Sequence, residues 1–164
     1  MITIRKFTLD DTESMFTYSS DFENTHYMLM APHKTIEETR NFLVKCIKEY
    51  EKENPEYLSF AVVLDNRHIG EVFAYLSEKE ADIGWLIDKR YWGNGYASQA
   101  ANLLVEYLRT ELKRTDIVAY CDARNIASQK VMQKIGMEFA GSNGIRTYEK
   151  DVSAYEEVKY QFLK

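Results

Sequence analysis

The feature that most constrains this chain is a short segment with two glycines, Gly93 and Gly95, between two regular elements. The residues before it, Ala81–Ile87, alternate like a strand, and those after it carry apolar side chains at helical spacing as far as Leu112. Glycines one residue apart permit positive φ and expose successive backbone N–H groups, and the next helix adds its own unpaired N–H groups. The sequence therefore predicts an anion-binding loop of the kind that holds phosphate.

The composition is that of an ordinary globular protein. Hydrophobic residues make up 45% of the 164 residues, and no apolar run approaches the ~20 residues of a membrane helix. The segment at Met1 has no features of a signal peptide, so we expect one cytoplasmic domain over residues 1–164 with no membrane partner. The net charge of −5 argues against a nucleic-acid partner. Cys46 and Cys121 are predicted to be buried free thiols, and no metal-ligand spacing is present.

The hydrophobic periodicity predicts a mixed α/β domain with the order β-α-α-β-β-β-α-β-α-β-β. Asp10 or Asp11 is expected to cap the first helix, and Thr35 opens a capping box for the second, with Ile36 turned inward. Gly136 is expected to end the last helix. Strands are predicted at 2–6, 58–64, 69–76, 81–87, 117–121 and twice after 139, with a turn at 65–67, and helices at about 11–20, 36–50, 97–112 and 125–135.

Three segments, in this order, resemble the GNAT superfamily of N-acetyltransferases over nearly the whole chain. Arg90, Gly93 and Gly95 match its fingerprint Arg/Gln-x-x-Gly-x-Gly/Ala at the start of a helix. Residues 125–137 are similar to the Asn-x-x-Ser and Lys-x-Gly-Phe segment of the Rim-type branch, which acetylates ribosomal-protein N-termini. Residues 81–87 are similar to the strand before that branch's loop. The resemblance implies the GNAT fold, a mixed sheet of about seven strands flanked by four helices, with acetyl-CoA in a split between strands 4 and 5.

The resemblance also implies where acetyl-CoA, the cosubstrate, would bind. Its pantetheine arm would pair with the backbone around Ile87, where an N–H would polarise the thioester carbonyl. Asn125 is expected to contact pantetheine and also to cap its helix. Arg90 either contacts phosphate or covers surface. The pyrophosphate would rest on N–H groups of Gly93, Asn94, Gly95, Tyr96, Ala97 and Ser98.

The same resemblance implies that an amine attacks the thioester directly in a ternary complex. An amine with a pKa near ~10 is mostly protonated at neutral pH, so a carboxylate base should help. Asp82 and Glu71 are the candidate bases, although both could be ordinary strand residues. Many family members have a tyrosine acid where this chain has Met132, which leaves Ser128 or Tyr148 to protonate the thiolate.

The acceptor is expected to be a small-molecule or peptide amine. Phe22, His26, Tyr27 and Met28 lie in an irregular stretch where the family admits acceptors, so they form either a substrate wall or core packing. The protein is expected to be a monomer, or a homodimer formed through its C-terminal strands.

Three alternatives remain open on the sequence. Gly93, Gly95 and Ser98, with Asp122 after the next strand, resemble a dinucleotide-binding Rossmann unit. A second alternative is a catalytically silent CoA-binding module, favoured by Met132. A third is a different acyl group, such as succinyl. A P-loop is excluded because no Gly-Lys-Ser/Thr occurs.

Overall fold

A seven-stranded sheet forms the centre of the fold in the computed structural model, which describes residues 1–163. Its strands lie in the order β1-β2-β3-β4-β5-β7-β6. The predicted element order is confirmed, as is the mixed sheet with four helices. The strands are β1 (Ile2–Lys6), β2 (Tyr57–Leu64), β3 (Arg67–Leu76), β4 (Ala81–Ile87), β5 (Ile117–Asp122), β6 (Glu138–Tyr148) and β7 (Asp151–Gln161), and the helices are α1 (Thr12–Ser19), α2 (Ile36–Glu49), α3 (Tyr96–Thr110) and α4 (Ile126–Lys134).

The hairpin between β2 and β3 illustrates how local sequence determines the sheet. Asp65 and Asn66 have φ of 46° and 67°, and Leu64 pairs with Arg67 across the turn. Two successive left-handed residues make a tight two-residue turn whose twist suits the flanking strands, and Asp and Asn tolerate that conformation. Arg67, expected in the turn, is therefore the first residue of β3.

Helices cover both faces of the sheet. On one face, Leu104 and Leu108 of α3 are fully buried against strand residues that include Val72. On the other face, Met15 of α1 and Leu43 of α2 are fully buried over the β1–β4 side of the sheet. The sheet thus has a core on each face, and α1 and α2 share one face while α3 and α4 share the other.

The second helix begins as predicted, but its first residue does not face the core. The Thr35 hydroxyl accepts the N–H of Glu38 at 3.2 Å, as expected for an N-cap. Ile36 is 45% exposed, so its predicted inward position is wrong. The first turn of α2 extends past the buried cluster, and Ile36 lines an open groove beside Leu9.

The entry into α1 also differs from the prediction. A short 3-10 turn, Leu9–Asp11, precedes the helix. The Asp11 carboxylate accepts the N–H of Thr8 at 2.9 Å and pairs with Arg5, and it makes no capping bond to α1. Asp11 therefore stabilises the chain entering the turn, and the expected side-chain cap of α1 is wrong.

The parallel strands β4 and β5 separate after two residue pairs. Ala81 pairs with Ile117 and Asp82 with Val118, and no later pair joins the two strands in the described chain. The predicted split between the fourth and fifth strands is confirmed. Every other neighbouring pair of strands within residues 1–163 is antiparallel, whereas a dinucleotide-binding Rossmann sheet is built from several successive parallel βαβ units and not from one. The dinucleotide-binding alternative is therefore wrong.

The two cysteines are free and buried, as predicted. Cys46 of α2 lies in the core beneath α1 and α2, and Cys121 of β5 lies in the core beneath α3. They are therefore on opposite faces of the sheet. None of the helices within residues 1–163 is long and apolar enough to cross a bilayer.

Candidate active site

The glycine loop lies at the open end of the split, between β4 and α3. Gly93 and Gly95 have φ of 79° and 74°, and Gly95 is the N-cap residue of α3. The side-chain amide of Asn94 donates to the carbonyls of Tyr91 and Trp92 at 3.1 and 3.0 Å, which fixes the conformation of the loop. The first turn of α3, all of it described, has no acidic residue. An anion therefore meets N–H groups and the positive end of the helix dipole.

The backbone of β4 presents N–H groups to the open part of the split. Ala81 donates to Asp116 on the β5 side and Asp88 donates to Ile69 on the β3 side, so odd-numbered residues of β4 face β5. The N–H of Ile87 therefore points into the split. Its carbonyl already accepts two hydrogen bonds, one from Asn24 Nδ2 and one from Trp92 Nε1, each 2.7 Å long.

Arg90 and Lys134 flank the loop, and they differ in whether a carboxylate pairs with them. Arg90 forms a bidentate ion pair with Asp88, and its side chain is 64% exposed. Lys134, at the end of α4, places Nζ 3.1 Å from where a Cβ on Gly95 would lie. None of the ion pairs among the described residues involves Lys134. It was not among the expected cofactor contacts, although its place in the Lys-x-Gly segment was a usable signal.

The start of α4 brings a hydroxyl to the wall of the split. The Asn125 Oδ1 accepts the N–H of Ser128 at 3.1 Å, so Asn125 caps the helix. The Ser128 hydroxyl lies beside the thiol of Cys121, in the part of β5 that no longer pairs with β4. Burial raises the pKa of Cys121 to about 11. Met132 is 1% exposed, and as a core side chain it supplies no acid.

Asp82 lies at the closed end of the split. It pairs with Tyr75 on β3 and with Val118 on β5, and its side chain is half-buried. Burial, together with the nearby carboxylates of Glu80 and Glu157, raises the pKa of Asp82 to about 7. A carboxyl that titrates near neutral pH is well matched to proton transfer.

Glu71, the second candidate base, is more deeply buried. It is 6% exposed, it pairs with Leu86, and its carboxyl accepts the Ser59 hydroxyl at 2.8 Å. Burial raises the pKa of Glu71 to about 7. Its β4 partner is four residues beyond Asp82, which is roughly 13 Å along the strand. The two candidate bases therefore do not share a site.

Tyr148 reaches the end of β5 from the end of β6. Its hydroxyl donates to Asp122 at 2.8 Å, and Arg124 donates to the same carboxylate. Although burial opposes ionisation, these bonds hold the pKa of Asp122 at about 2. Burial and the bond to Asp122 raise the pKa of Tyr148 to about 12. Asp122 is fully buried, so it is not free to bind a ribose.

The expected acceptor segment, residues 22–28, lies between the α1–α2 cluster and the β6–β7 hairpin. Met28 packs against that cluster, while Arg146 of β6 donates to the carbonyl of Tyr27 at 3.3 Å. His26 contacts Tyr27 edge to face at 4.6 Å between ring centroids, and Phe22 is 62% exposed. The structure thus brings Tyr27 and Met28 against the sheet and leaves Phe22 at the surface.

Asn24, a residue missed by the sequence analysis, attaches this segment to β4. Its side chain is buried, donates to the carbonyl of Ile87 at 2.7 Å and accepts the N–H of Lys89 at 2.9 Å. Lys89 also pairs with Asp21 and Glu23, at 2.8 Å each. No local pattern signals these contacts, because they join residues more than 60 positions apart.

The sheet opens between two parallel strands, with an N–H-lined loop at the open end and a titratable carboxyl at the closed end. This arrangement defines the class of acyltransferases that use a coenzyme A thioester. A family model described as "Acetyltransferase (GNAT) domain" matches residues 1–138. The chain belongs to the GNAT acetyltransferase family and is an acetyl-CoA-dependent acyltransferase.

Individual relatives agree with this assignment. YnaD, an uncharacterized N-acetyltransferase of Bacillus subtilis, is 32% identical over 144 residues, which are 85% of this chain and 81% of the relative. A GNAT-family acetyltransferase from Bacillus anthracis has a TM-score of 0.81 at 31% identity, covering 97% of this chain and 92% of its own. The microcin C7 self-immunity acetyltransferase MccE, solved with acetyl-CoA and AMP, has a TM-score of 0.85 at 17% identity, covering 97% and 90%, which shows a shared fold.

Proposed function

We propose that this protein transfers the acetyl group of acetyl-CoA to a primary amine by direct attack in a ternary complex. The observation that carries the proposal is the opening between β4 and β5, which ends at a loop of N–H groups and begins at Asp82. Such an opening accommodates an extended acyl donor with its phosphates at the loop. The reacting carbonyl then lies toward the closed end.

The cofactor would be held mainly by backbone groups. The N–H groups from Gly93 to Ser98 suit the pyrophosphate, and the N–H of Ile87, next to the loop, suits the pantetheine arm. Lys134 supplies a positive charge beside Gly95. Arg90, engaged by Asp88, is a weaker candidate for phosphate, and Asn125 can contact pantetheine while it caps α4.

The transfer needs two proton movements. The amine nitrogen attacks the thioester carbon, a C–N bond forms, the C–S bond breaks, and an N-acetylamine and the CoA thiol leave. Asp82 is proposed to take the proton lost by the amine, because its pKa of about 7 suits a base at neutral pH. Ser128, on the wall of the split, is proposed to give a proton to the thiolate. Tyr148 is less suited, since its hydroxyl is committed to Asp122.

The acceptor is proposed to enter between segment 22–28 and the β6–β7 hairpin. Solved relatives of the same fold include a spermidine N-acetyltransferase from Vibrio cholerae, bound to CoA and spermine, and RimL, an acetyltransferase of ribosomal protein L7/L12. These names support an amine acceptor and leave its size open. We place the protein in the cytoplasm, as a monomer or homodimer, without nucleic-acid or membrane partners. The two free cysteines suit a reducing compartment.

A calorimetric titration tests the cofactor site. Acetyl-CoA should bind saturably and NAD should not. Gly95→Ala should weaken acetyl-CoA binding about tenfold, because φ of 74° disfavours a side chain and the new Cβ meets Lys134 at 3.1 Å. Gly141→Ala is the matched control, since Gly141 also has positive φ but lies on β6 with nothing within 4 Å. Equal loss in both variants would contradict the site.

Turnover distinguishes the enzyme from its main alternative, a silent CoA-binding module. Met132 favours the silent module, because the phenol expected at that position is absent. Release of CoA thiol should depend on an added amine and be faster with acetyl-CoA than with succinyl-CoA. Binding without release across peptides, diamines and monoamines would favour the silent module.

A further inference from the structure

A row of aromatic rings lies on the sheet face opposite α3, next to the closed end of the split. Phe73 and Tyr75 of β3 are 5.8 Å apart between ring centroids, and Tyr57 of β2 lies 6.0 and 4.8 Å from them. Tyr75 is 49% exposed, and Phe73 is half-buried. Tyr57 packs against the core beneath α1 and α2, where it lies 6.2 Å from the ring of Phe42, whereas Phe73 and Tyr75 belong to neither core cluster of the described residues. Flat apolar surface left open to water beside a site favours a ligand.

Gly84 allows the row to extend over β4. Phe73 pairs with Gly84, and a Cβ at position 84 would lie 2.4 Å from the Cζ of the Phe73 ring. No real Cβ contact is that short, so the ring occupies the space that any other side chain would fill. Since β4 and β5 stop pairing after Asp82, the ring lies over the part of β4 that faces the opening.

The charge at the end of the row complements an ammonium group. Asp82 lies directly opposite Tyr75 in the register of β3 and β4. No hydrogen bond from a described residue affects the pKa of the Asp82 carboxyl. The neighbouring carboxylates already have cations, Glu80 with Lys159 and Glu157 with Arg146. Asp82 therefore remains the carboxylate available to an incoming cation.

We propose that the acceptor is a primary amine whose nearby carbon skeleton is a flat aromatic group, stacked on Phe73 and Tyr75 with its nitrogen directed to Asp82. This inference rests on the proposed function and names the substrate class of the same site. Aromatic rings bind one another in offset or edge-to-face geometry, and ring faces attract a neighbouring ammonium. A saturated skeleton of similar size gains only the area that it buries.

The test compares three amines, 2-phenylethylamine, 2-cyclohexylethylamine and ethylamine, by kcat/KM for acetyl-CoA turnover. The wild-type protein should prefer the phenyl compound to the cyclohexyl compound by about tenfold, and both to ethylamine. Phe73→Leu should abolish the phenyl preference, mainly through KM. Gly84→Ala should do the same by displacing the ring. Phe139→Leu, at a 60% exposed ring on β6, is the matched control and should keep the preference.

Acetyl-CoA binding, measured calorimetrically on each variant, serves as the check on folding. Equal kcat/KM for the phenyl and cyclohexyl amines, or an unchanged ratio in Phe73→Leu, would overturn the inference while the proposed function stands. Acetyl-CoA binding with no turnover of any amine would overturn the proposed function, and the inference with it.

Discussion

Asp82 and Glu71 are two carboxyls on neighbouring strands that differ in access to the split. Burial raises the pKa of each to about 7. Asp82 lies half-buried where β4 and β5 part, whereas Glu71 is enclosed and bonded to Ser59. A base must reach the proton it removes, so geometry favours Asp82 even though the pKa values do not discriminate.

The pH dependence of Asp82→Asn checks this assignment. In the wild-type protein kcat/KM should rise with pH through about 7, as the Asp82 carboxyl loses its proton. The variant should lose this limb and about 100-fold or more of its rate at pH 8, while acetyl-CoA affinity stays unchanged. A full rate in the variant, or an identical limb near pH 7, would remove Asp82 as the base.

Glu71 should act on stability. Its pKa of about 7 in the folded protein exceeds its ordinary value of 4.5, so its contribution is most favourable below pH 4.5 and is lost as pH rises to 7. The cost at pH 8 is on the order of 3 kcal/mol. Glu71→Gln, which keeps an acceptor for Ser59, should therefore stabilise the protein at pH 8 more than at pH 5 in urea unfolding. A pH-independent difference would contradict the buried ionisation.

Removing the single positive charge of Lys134 tests the proposed cofactor site. Lys134→Ala should weaken acetyl-CoA binding about tenfold and lower its dependence on salt, because a phosphate contact is lost. Lys130→Ala is the matched control, since Lys130 lies one turn earlier on α4 and is exposed. Equal effects of the two substitutions would mean that general charge, and no specific contact, is responsible.

At the scale of elements, the sequence predicts what is periodic and misses what is long-range. The alternation of 81–87, the helical stripe after Gly95 and the cap at Thr35 are local, and all appear where expected. The exposure of Ile36 and the two hydrogen bonds that join Asn24 to Ile87 and Lys89 depend on where distant elements lie. Segment 22–28 has no period, so its position against the β6–β7 hairpin could not be derived from the sequence.

The two hydrogen bonds of the Asn24 side chain should couple the acceptor segment, residues 22–28, to the end of β4. Asn24→Ala removes two hydrogen bonds and leaves the N–H of Lys89 without its partner. It should cost about 1–3 kcal/mol in unfolding free energy, and raise KM for the amine more than it changes acetyl-CoA affinity. Asn54→Ala, at an exposed position before β2, is the control. A uniform loss of both affinities would point to general misfolding.

At the scale of the whole molecule, acetyl-CoA should stabilise the fold by joining β4 to β5. At 100 times its Kd, a ligand that binds only the folded state adds about 2.7 kcal/mol. For a chain of this size, Tm should rise by roughly 5–10 °C in calorimetry. NAD at the same concentration is the control. The two tryptophans, Trp85 on β4 and Trp92 beside the loop, should change fluorescence over the same titration.

The opening between β4 and β5 gives one sheet four strand edges instead of two. β1 and β6 end the sheet on the outside, and β4 and β5 expose a second pair within it. Unpaired edges recruit other extended chains, so a protein that keeps them must have a way to cover them. In the proposed complex, the extended pantetheine arm of acetyl-CoA, which carries amide groups, would cover the inner pair of edges as a neighbouring strand does. A cell depleted of acetyl-CoA would then hold this protein with the inner edges of β4 and β5 uncovered.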